Sequence, residues 1–378
     1  MKTCGLVGEF NPFHEGHKRI IEVMKKSCDL TVCVMSGPFV QRGSPALFSK
    51  WTRAKIAIQN GIDLVLEIPQ AYVLQQASGF ALGAIGLLSR VSQMEELFFG
   101  VEENFFAKDP KELLEKLNSP ITQNNISSHM ENGASYRRAL SASLGLDLEA
   151  NEILALAYLQ AMDMLKLSWK IHPVLREGAG HHDLLVDQPC PSASAIRKGL
   201  EEGSFPVKNL IGFDQISQEE KDALGKKRLP APDPLLSYLK VREILDPLSF
   251  NQSPHFEPGM DFRLKKFLKE AKNTDDLAFL SSNKRQSISR YRRLILSIAL
   301  GIEKKAYPLP AYLRPLAFSP KGRLLLKASP YPVVQKLADR DLPRDQEELL
   351  QIDLKAQALF EELKGFSSGM DYQQNYLF

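Results

Sequence analysis

The sequence has few cysteines, no long apolar run and a small net charge, and so lacks features that secreted, membrane-spanning or highly charged proteins depend on. Its 378 residues include only four cysteines, Cys4, Cys28, Cys33 and Cys190, and no two of them have the Cys-x-x-Cys spacing of many zinc and redox sites. No run approaches the roughly 18 uninterrupted apolar residues that a membrane span needs. The net charge is only +3. We therefore predict a globular protein of a reducing, cytoplasmic compartment, with buried thiols and neither a signal peptide nor a membrane association.

Apolar runs alternate with helical patterns through the first part of the chain. The runs CGLVGEF, LTVCVMS, DLVLEIP and ELFFGVE are continuously apolar, which is typical of strands that are covered on both faces. Helical segments such as GHKRIIEVMKKS follow them. This alternation predicts an α/β fold, a Rossmann-like doubly wound parallel sheet, in which ligands bind beyond the carboxyl ends of the strands.

The pattern changes to mostly helical near residue 206. We therefore predict two domains, a strand-rich domain over residues 1–205 and a mostly α-helical C-terminal domain over residues 206–378. Within the second domain, the runs LRPLAFS and GRLLLKAS flank an SPKG turn and predict a short pair of strands.

The segment between the first predicted strand and the first predicted helix contains two histidines. In GEFNPFHEGH, residues 8–17, Asn11-Pro12 predicts a turn and Gly16 permits a close approach of the backbone to a ligand. Helical periodicity starts directly afterwards, so His14 and His17 are expected near a helix N-terminus, where free N–H groups attract phosphate. Imidazole N–H groups can add hydrogen bonds to phosphate oxygens there.

Two motifs together resemble the nucleotidylyltransferase superfamily. FNPFHEGH is similar to its HxGH motif, and SASAIR, Ser192–Arg197, is similar to its second signature, a Ser/Thr-rich run that ends in arginine. Each motif alone has a plainer reading, because a serine before a helix is a common cap and two histidines can be structural or bind zinc. The only other cluster of this kind is His181-His182-Asp183, and no metal site is predicted.

Further segments narrow the resemblance to the tRNA(Met) cytidine acetate ligases. QRGSPALFSKWTRAKIAIQNGIDLVLEIP, residues 41–69, resembles the hallmark of that family, and FGVE, NEILALAYL, REGAGHHD and YLRPLAFSPKGRLLLK match in order. The resemblance covers nearly the whole chain. It implies a sheet of the nucleotidylyltransferase type and an ATP-dependent ligase.

The reaction that the resemblance implies has two steps. Acetate attacks the α-phosphorus of ATP and gives acetyl-adenylate and pyrophosphate. The exocyclic amine of the wobble cytidine of elongator tRNA(Met) then attacks the acetyl carbonyl and gives N4-acetylcytidine and AMP. ATP is thus expected as a substrate, Mg²⁺ as its usual companion, and acetate and elongator tRNA(Met) as partners, with no obligate protein partner.

The same resemblance implies the residues of the site. His14, His17 and Arg197 would be catalytic. The ATP-binding residues would be Val7, Gly8, Glu9, Phe10, Asn11, Pro12, Phe13, His14, Glu15, Gly16, His17, Lys18, Arg19, Ile20, Gly100, Asn151, Arg176, Ser192 and Ser194. Three of these have a plainer alternative, since Gly100 could form a strand-end turn, Asn151 could cap a helix and Arg176 could be a surface arginine.

A basic segment in the second half is the candidate tRNA-binding surface. SSNKRQSISRYRR contains Lys284, Arg285, Arg290, Arg292 and Arg293 with no acidic residue among them. Such a cluster can contact phosphates, and the tyrosine at position 291 can stack on a base. The alternative is a solvated helix face.

Two other functions stay open at this point. A small-molecule adenylyltransferase would share the histidine motif and the sheet, but such enzymes usually lack a long second domain. A non-catalytic nucleotide- or tRNA-binding protein would bind ATP without releasing pyrophosphate.

Overall fold

The strands of the computed structural model form one six-stranded sheet. The model describes residues 1–102, 105, 109–175, 191–225, 233–245, 250–338 and 341–372. The strands are β1 (Thr3–Gly8), β2 (Leu30–Ser36), β3 (Leu64–Ile68), β4 (Met94–Val101), β5 (Lys170–Leu175) and β6 (Pro315–Phe318). Their order is β5-β4-β1-β2-β3-β6, and all neighbours are parallel except β6, which runs antiparallel to β3. The chain winds outward from β1 in both directions, so the predicted doubly wound parallel sheet is confirmed.

Helices fill both faces of the sheet and most of the second half of the chain. In the first half, they are α1 (Glu15–Ser27), α2 (Lys50–Gln59), α3 (Gln70–Val73), α4 (Ala77–Leu88), α5 (Pro110–Asn118), α6 (Pro120–Glu131), α7 (Tyr136–Leu144), α8 (Ala150–Met164) and α9 (Ala193–Glu202). In the second half, they are α10 (Gln218–Gly225), α11 (Pro234–Leu245), α12 (Met260–Leu268), α13 (Thr274–Ser281), α14 (Ile288–Leu300), α15 (Gly322–Lys327) and α16 (Arg344–Lys364). None of the helices in the described part of the chain is long and apolar enough to cross a membrane.

Alternate side chains of each strand enter two separate cores. Leu6, Cys33 and Phe98 belong to the core under α1 and α2, whereas Val34 and Leu97 belong to the larger core under α4 and α8. This double burial explains why the strands read as continuous apolar runs in the sequence.

The strand-like pair predicted in the second half is only partly correct. LRPLAFS contains β6, but GRLLLK forms helix α15, because Gly322 N–H bonds to the Ser319 hydroxyl and the chain turns into a helix there. β6 also lies against β3 and therefore completes the sheet of the first half. The boundary at residues 205 and 206 stays a prediction.

A buried ionic cluster ties the end of the chain to β3 and α2. The Lys50 ammonium lies 2.9 Å from Glu67 and 2.9 Å from Asp371, which belongs to the short turn Met370–Tyr372. Arg314, directly before β6, lies 2.8 Å from the other oxygen of Asp371. All four side chains are almost completely buried, so each charge depends on its partners.

The cysteines differ in part from the expectation of separate buried thiols. Cys33 is buried and free, as predicted, and Cys190 lies outside the described residues. Cys4 in β1 and Cys28 after α1 form a disulfide, with Cα atoms 6.0 Å apart, so the expectation of a buried thiol is wrong for Cys4. The pairing was not visible in the sequence because 24 residues separate the two positions.

Candidate functional site

The two histidines form the N-terminal cap of α1. His14 is the cap residue, and its Nδ1 accepts a hydrogen bond from the Gly16 N–H at 3.1 Å. The Nδ1 of His17 accepts a reciprocal hydrogen bond from the His14 N–H at 3.2 Å. An imidazole that accepts at Nδ1 while neutral carries its proton at Nε2, so both rings have a defined N–H donor.

Packing fixes the relative orientation of the two histidine rings. They stack with centroids 3.8 Å apart, and the buried rings of Phe10 and Phe13 lie 5.0 and 5.5 Å from His17. A Cβ at Gly16 would lie 2.9 Å from Cε1 of His14, so glycine is what allows the His14 ring to fold back over the helix start. The motif HEGH therefore builds a fixed pair of donors at the first turn of α1.

A cavity of about 370 Å³ opens beside these histidines, beyond the carboxyl ends of β1 and β4. Both sequence motifs reach it. Its lining includes fourteen predicted site residues: Val7, Gly8, Glu9, Phe10, Asn11, His14, Gly16, His17, Ile20, Gly100, Asn151, Ser192, Ser194 and Arg197. The position agrees with the general rule for parallel sheets, in which the ligand crevice lies at this edge.

Helix α9 delivers the second motif to the cavity. Ser192 caps this helix by accepting a hydrogen bond from the Ala195 N–H at 3.1 Å. Arg197 donates to the Asn11 carbonyl oxygen and, at 3.1 Å, to the Ser194 hydroxyl. Burial and the nearby Arg42 lower the pKa of Arg197 below its usual value, although the guanidinium stays charged. The site thus combines a helix N-terminus with a fixed cation, which suits a phosphate chain.

A second layer of charges supports the loop that follows β2. Oε1 of Glu9 accepts a hydrogen bond from the Gln41 N–H at 2.7 Å. Burial raises the pKa of Glu9 above its usual value, against the opposing effects of that hydrogen bond and of Arg53. Arg53 donates to the carbonyl oxygens of Glu9, Gly37 and Phe48, and burial lowers its pKa to about 10. Arg53 therefore holds the loops of the site together rather than facing a substrate.

Another wall of the cavity comes from α4, β4 and α8. Phe80, Phe99, Leu154 and Tyr158 supply flat apolar surface, and Gly100 adds no side chain. Such a wall suits a planar base. Asn151 lines the same side, and its Nδ2 is buried without a hydrogen-bond partner among the described residues. The cap of α8 is Glu149, so Asn151 does not serve as the cap.

Five described residues predicted for the site do not line the cavity. Pro12, Phe13, Glu15, Lys18 and Arg19 are absent from the cavity lining, and Phe13 belongs to the core. Arg176 lies outside the described residues. The residue-level assignments to ATP stay predictions.

The cavity also contains residues that the sequence analysis did not assign to the site, although some lie within the quoted motifs. They are Leu6, Val40, Ser44, Ala77, Phe80, Phe99, Ala150, Ile153, Leu154, Tyr158 and Ala193. Most are apolar and resemble ordinary core positions in the sequence, so only the fold could reveal them. Gln41 and Arg42, which belong to the family hallmark, line the cavity as well.

The basic segment in the second half divides into exposed and structural cations. Lys284 and Arg285 are exposed, directly before α14. Arg290 pairs with Glu257 at 2.7 Å, and Arg292 pairs with Asp275 at 2.9 Å. Arg293 donates to the Gln41 carbonyl oxygen at 3.3 Å and thereby fastens α14 to the cavity loop.

Tyr291 does not have the position expected for stacking on a base. Its side chain is completely buried, and its hydroxyl donates to Gln286 at 3.1 Å. The expectation was wrong because this side of α14 faces the core.

A second concave surface lies near the first. Gly133, Ser135, Arg137, Arg138 and Lys284 line it. Arg137 pairs with Glu149 at 3.1 Å, and Glu149 directly precedes the cavity residues Ala150 and Asn151. The position of Lys284 beside α7 could not be predicted, because the two segments are far apart in the chain. The structure therefore places a basic groove next to the wall of the cavity.

Comparisons with known proteins identify the family. The model of the family described as HIGH Nucleotidyl Transferase matches residues 1–375. A tRNA(Met) cytidine acetate ligase of Fervidobacterium nodosum is 34% identical over 349 residues, which is 87% of this chain and 81% of that protein. One of Limosilactobacillus reuteri is 32% identical over 377 residues and covers 96% of each chain.

Solved structures agree with this assignment across nearly the whole chain. The crystal structure of Thermotoga maritima TmcAL in an apo form superposes with a TM-score of 0.86 at 26% identity, over 100% of this chain and 99% of that chain. The form of the same protein bound with alpha-thio ATP superposes with a TM-score of 0.79 over 96% and 95% of the chains. This chain belongs to the HIGH nucleotidyl transferase family and, within it, to the tRNA(Met) cytidine acetate ligases.

Proposed function

We propose that this chain is an ATP-dependent ligase that acetylates N4 of the wobble cytidine of elongator tRNA(Met). One observation carries the proposal: the HEGH pair and the Ser192–Arg197 segment line a single cavity at the carboxyl edge of the sheet. The tRNA(Met) cytidine acetate ligases named above and the structural neighbour bound with alpha-thio ATP support it.

In the first step, an acetate oxygen attacks the α-phosphorus of ATP while the bond to the bridging oxygen of the β-phosphate breaks. Acetate is already a nucleophile, so the step needs positioning and charge stabilisation rather than a general base. The Nε2–H groups of His14 and His17 would stabilise the charge that develops on the phosphate oxygens. Ser192, Ser194 and Arg197 would bind the β- and γ-phosphates, which leave as pyrophosphate.

In the second step, the exocyclic amine of cytidine attacks the acetyl carbonyl of the adenylate, loses a proton and displaces AMP. The adenosine part would stay between the apolar wall and Gly100, with Asn151 as a donor to it. The mouth of the cavity carries Gln41 and Arg42, which are suitably polar for an RNA base and its phosphate.

Mg²⁺ would enter this site mainly as an ion already bound to the triphosphate of ATP. Glu9 is the only carboxylate side chain in the described lining, and its oxygen already accepts from Gln41 while burial raises its pKa. The lining thus offers no free carboxylate pair for the ion, which in nucleotide sites is held largely by phosphate oxygens and water.

The anticodon arm would approach along the basic side of the cavity. Arg42 and Arg292 lie close enough to Arg197 to lower its pKa, and Lys284, Arg137 and Arg138 line the second concave surface beside the cavity. A row of cations of this kind follows an RNA backbone and depends strongly on salt.

The test is a reaction of the purified protein with ATP, acetate and elongator tRNA(Met). The expected products are AMP, pyrophosphate and a tRNA with one acetylated cytidine. Pyrophosphate release with a nucleotide-type acceptor and without tRNA acetylation would instead favour a small-molecule adenylyltransferase. ATP binding without any pyrophosphate release would favour a non-catalytic binding protein.

A further inference from the structure

A compact group of metal-ligating side chains lies away from the cavity, on the face of the sheet that α1 covers. Cys4 in β1 is opposite Glu96 in β4, and His172 in β5 is opposite Phe98, two residues after Glu96. Because side chains alternate along a strand, all three point to the same face. Cys28, at the C-terminal cap of α1, closes the group from above. We call these four residues the Cys4 cluster.

The donor atoms of the Cys4 cluster converge on one carboxylate oxygen. The sulfur atoms of Cys4 and Cys28 each lie 3.6 Å from Oε2 of Glu96. Nε2 of His172 lies 3.0 Å from the same oxygen. The two sulfur atoms and the carboxylate lie within 4.8 Å of one another, which is the spread of ligands around one bound cation.

His172 adds a nitrogen donor beside this group. Its Nε2 is buried and faces the Glu96 carboxylate at 3.0 Å without a hydrogen bond of good geometry to any described residue. The ring is fixed, because it stacks on Phe98 with centroids 4.4 Å apart. A nitrogen in a fixed ring beside the carboxylate that faces both sulfurs can complete the ligand set of a zinc-class ion.

The charges of the cluster also suit a divalent cation. Two thiolates and the Glu96 carboxylate supply three negative charges. Lys2 lies 2.5 Å from Oε1 of Glu96, on the side away from the sulfurs. A zinc-class ion together with the Lys2 ammonium would therefore leave the buried cluster neutral, which removes the cost of an uncompensated charge.

We propose that the reduced form of this protein binds one zinc-class divalent cation through Cys4, Cys28, Glu96 and His172. The disulfide and the metal site are alternative states of the same cysteines. An external dithiol supplies two electrons and two protons to the sulfur–sulfur bond and is itself oxidised to a disulfide. The two thiols then release two protons and bind the cation as thiolates.

The cluster joins the amino ends of three strands to the end of the helix whose first turn contains His14 and His17. Helix α1 is about 20 Å long at 1.5 Å per residue, so the ion would not touch the nucleotide cavity. The ion would instead fix the C-terminal end of α1 against the sheet and stabilise the first half of the chain. This inference is independent of the proposed ligase activity.

The experiment measures zinc retained by full-length protein after reduction with a phosphine, addition of zinc and gel filtration. We expect about one zinc per chain in the wild type and in Cys33→Ser, the matched control with a buried cysteine outside the cluster. Cys28→Ser, at a partly exposed position, should lose at least 10-fold in affinity, and His172→Gln should lose about 10- to 100-fold. The oxidised wild type should hold none.

Cobalt and heat provide readouts that do not depend on activity. Co²⁺ should give a thiolate charge-transfer absorption in the reduced wild type that is absent in Cys28→Ser. Zinc should raise the melting temperature of the reduced wild type by several degrees and leave that of Cys28→Ser unchanged. Reduced wild type without stoichiometric zinc, or equal zinc retention by Cys28→Ser, would overturn the proposal.

Discussion

His14 has two separable roles, because its Nδ1 caps α1 while its ring, protonated at Nε2, lines the cavity. Asparagine is also a favourable cap residue but lacks the imidazole donor. We expect His14→Ala to lose about 1 kcal/mol of stability and His14→Asn to lose little. Both variants should slow acetate-dependent pyrophosphate release by about 100-fold or more, the usual effect of removing one oxyanion donor.

Thermal unfolding and pyrophosphate release, measured on the same preparations, separate the two roles. A His14→Asn variant with the full rate would show that the imidazole acts only as a cap.

Asn151 contributes a buried donor that lacks a partner in the described structure. A bound ATP would satisfy it, so Asn151→Ala should weaken ATP binding by about 10-fold, or about 1.4 kcal/mol. The free protein should keep its stability or gain slightly, because an unsatisfied buried group is removed. Calorimetric titration with ATP checks the first effect, and Asn124→Ala on the exposed side of α6 is the control. Unchanged ATP affinity would leave Asn151 without a role in the site.

At the scale of secondary-structure elements, the hydrophobic pattern predicts most strands and helices. It does not predict which elements contact each other in the fold. β1 to β4 were predictable because residues buried on both faces leave continuous apolar runs. β5 was missed because its half-exposed run, KIHPVL, combines a proline with polar residues. The run GRLLLK predicts a strand as readily as a helix, because its leucines fit either period, and only the Ser319 contact decides between them.

The candidate site could likewise be predicted only in part from the sequence. The motifs brought by α1 and α9 were found because their polar residues follow a fixed spacing. Its apolar wall was hidden, since Phe80 and Leu154 look like any other core residue. The exposure of each arginine around α14 also depends on partners such as Glu257 and Gln41, which are distant in the chain.

The loop before α14 is the element that we expect to contact tRNA. Lys284→Ala with Arg285→Ala should weaken tRNA binding and lower the slope of log K against log salt by about 0.7 for each lost phosphate contact to single-stranded RNA. Adenylate formation should stay unchanged. The control is Lys25→Ala with Lys26→Ala, two exposed lysines at the far end of α1.

Filter binding at several salt concentrations gives both quantities. Arg290→Ala should mainly reduce stability, because it breaks the Glu257 pair and the bond to the His255 carbonyl oxygen. A loss of tRNA affinity in Arg290→Ala but not in the Lys284 and Arg285 variant would contradict this division.

The same region should be sensitive to acid through His255. Burial, together with Arg293, lowers the pKa of His255 from 6.5 to about 3, and its Nε2 bonds to the Leu74 carbonyl oxygen. Between these values the unfolded chain binds a proton that the folded protein excludes. Stability should therefore fall as the pH drops below about 6.5, by at most about 1.4 kcal/mol per pH unit from this group.

Denaturation by urea at pH 7.5, 6.5 and 5.5 tests this expectation. His255→Gln cannot take up the proton and should show a smaller dependence on pH than the wild type. Equal slopes would mean that other groups account for the acid sensitivity.

At the scale of the whole molecule, Asp371 connects the last described turn to Lys50 and Arg314. Asp371→Asn would remove the carboxylate that Lys50 and Arg314 share and leave them with Glu67 and the more distant Asp353, and we expect a loss of about 3 kcal/mol or more of unfolding free energy. The exposed Glu362→Gln on α16 should change it by less than about 0.5 kcal/mol. Guanidinium denaturation measures both, and an Asp371→Asn variant as stable as Glu362→Gln would show that the cluster tolerates the missing charge.

The late position of the antiparallel strand β6 in the chain affects folding during synthesis. A ribosome synthesises β1 to β5 well before Pro315–Phe318. Until that strand arrives, the outer edge of β3 presents unpaired backbone groups, and such an edge readily recruits a strand from another molecule. The sheet is therefore incomplete until β6 has been synthesised. A gene truncated after residue 205 should yield an aggregation-prone product rather than a smaller nucleotide-binding protein.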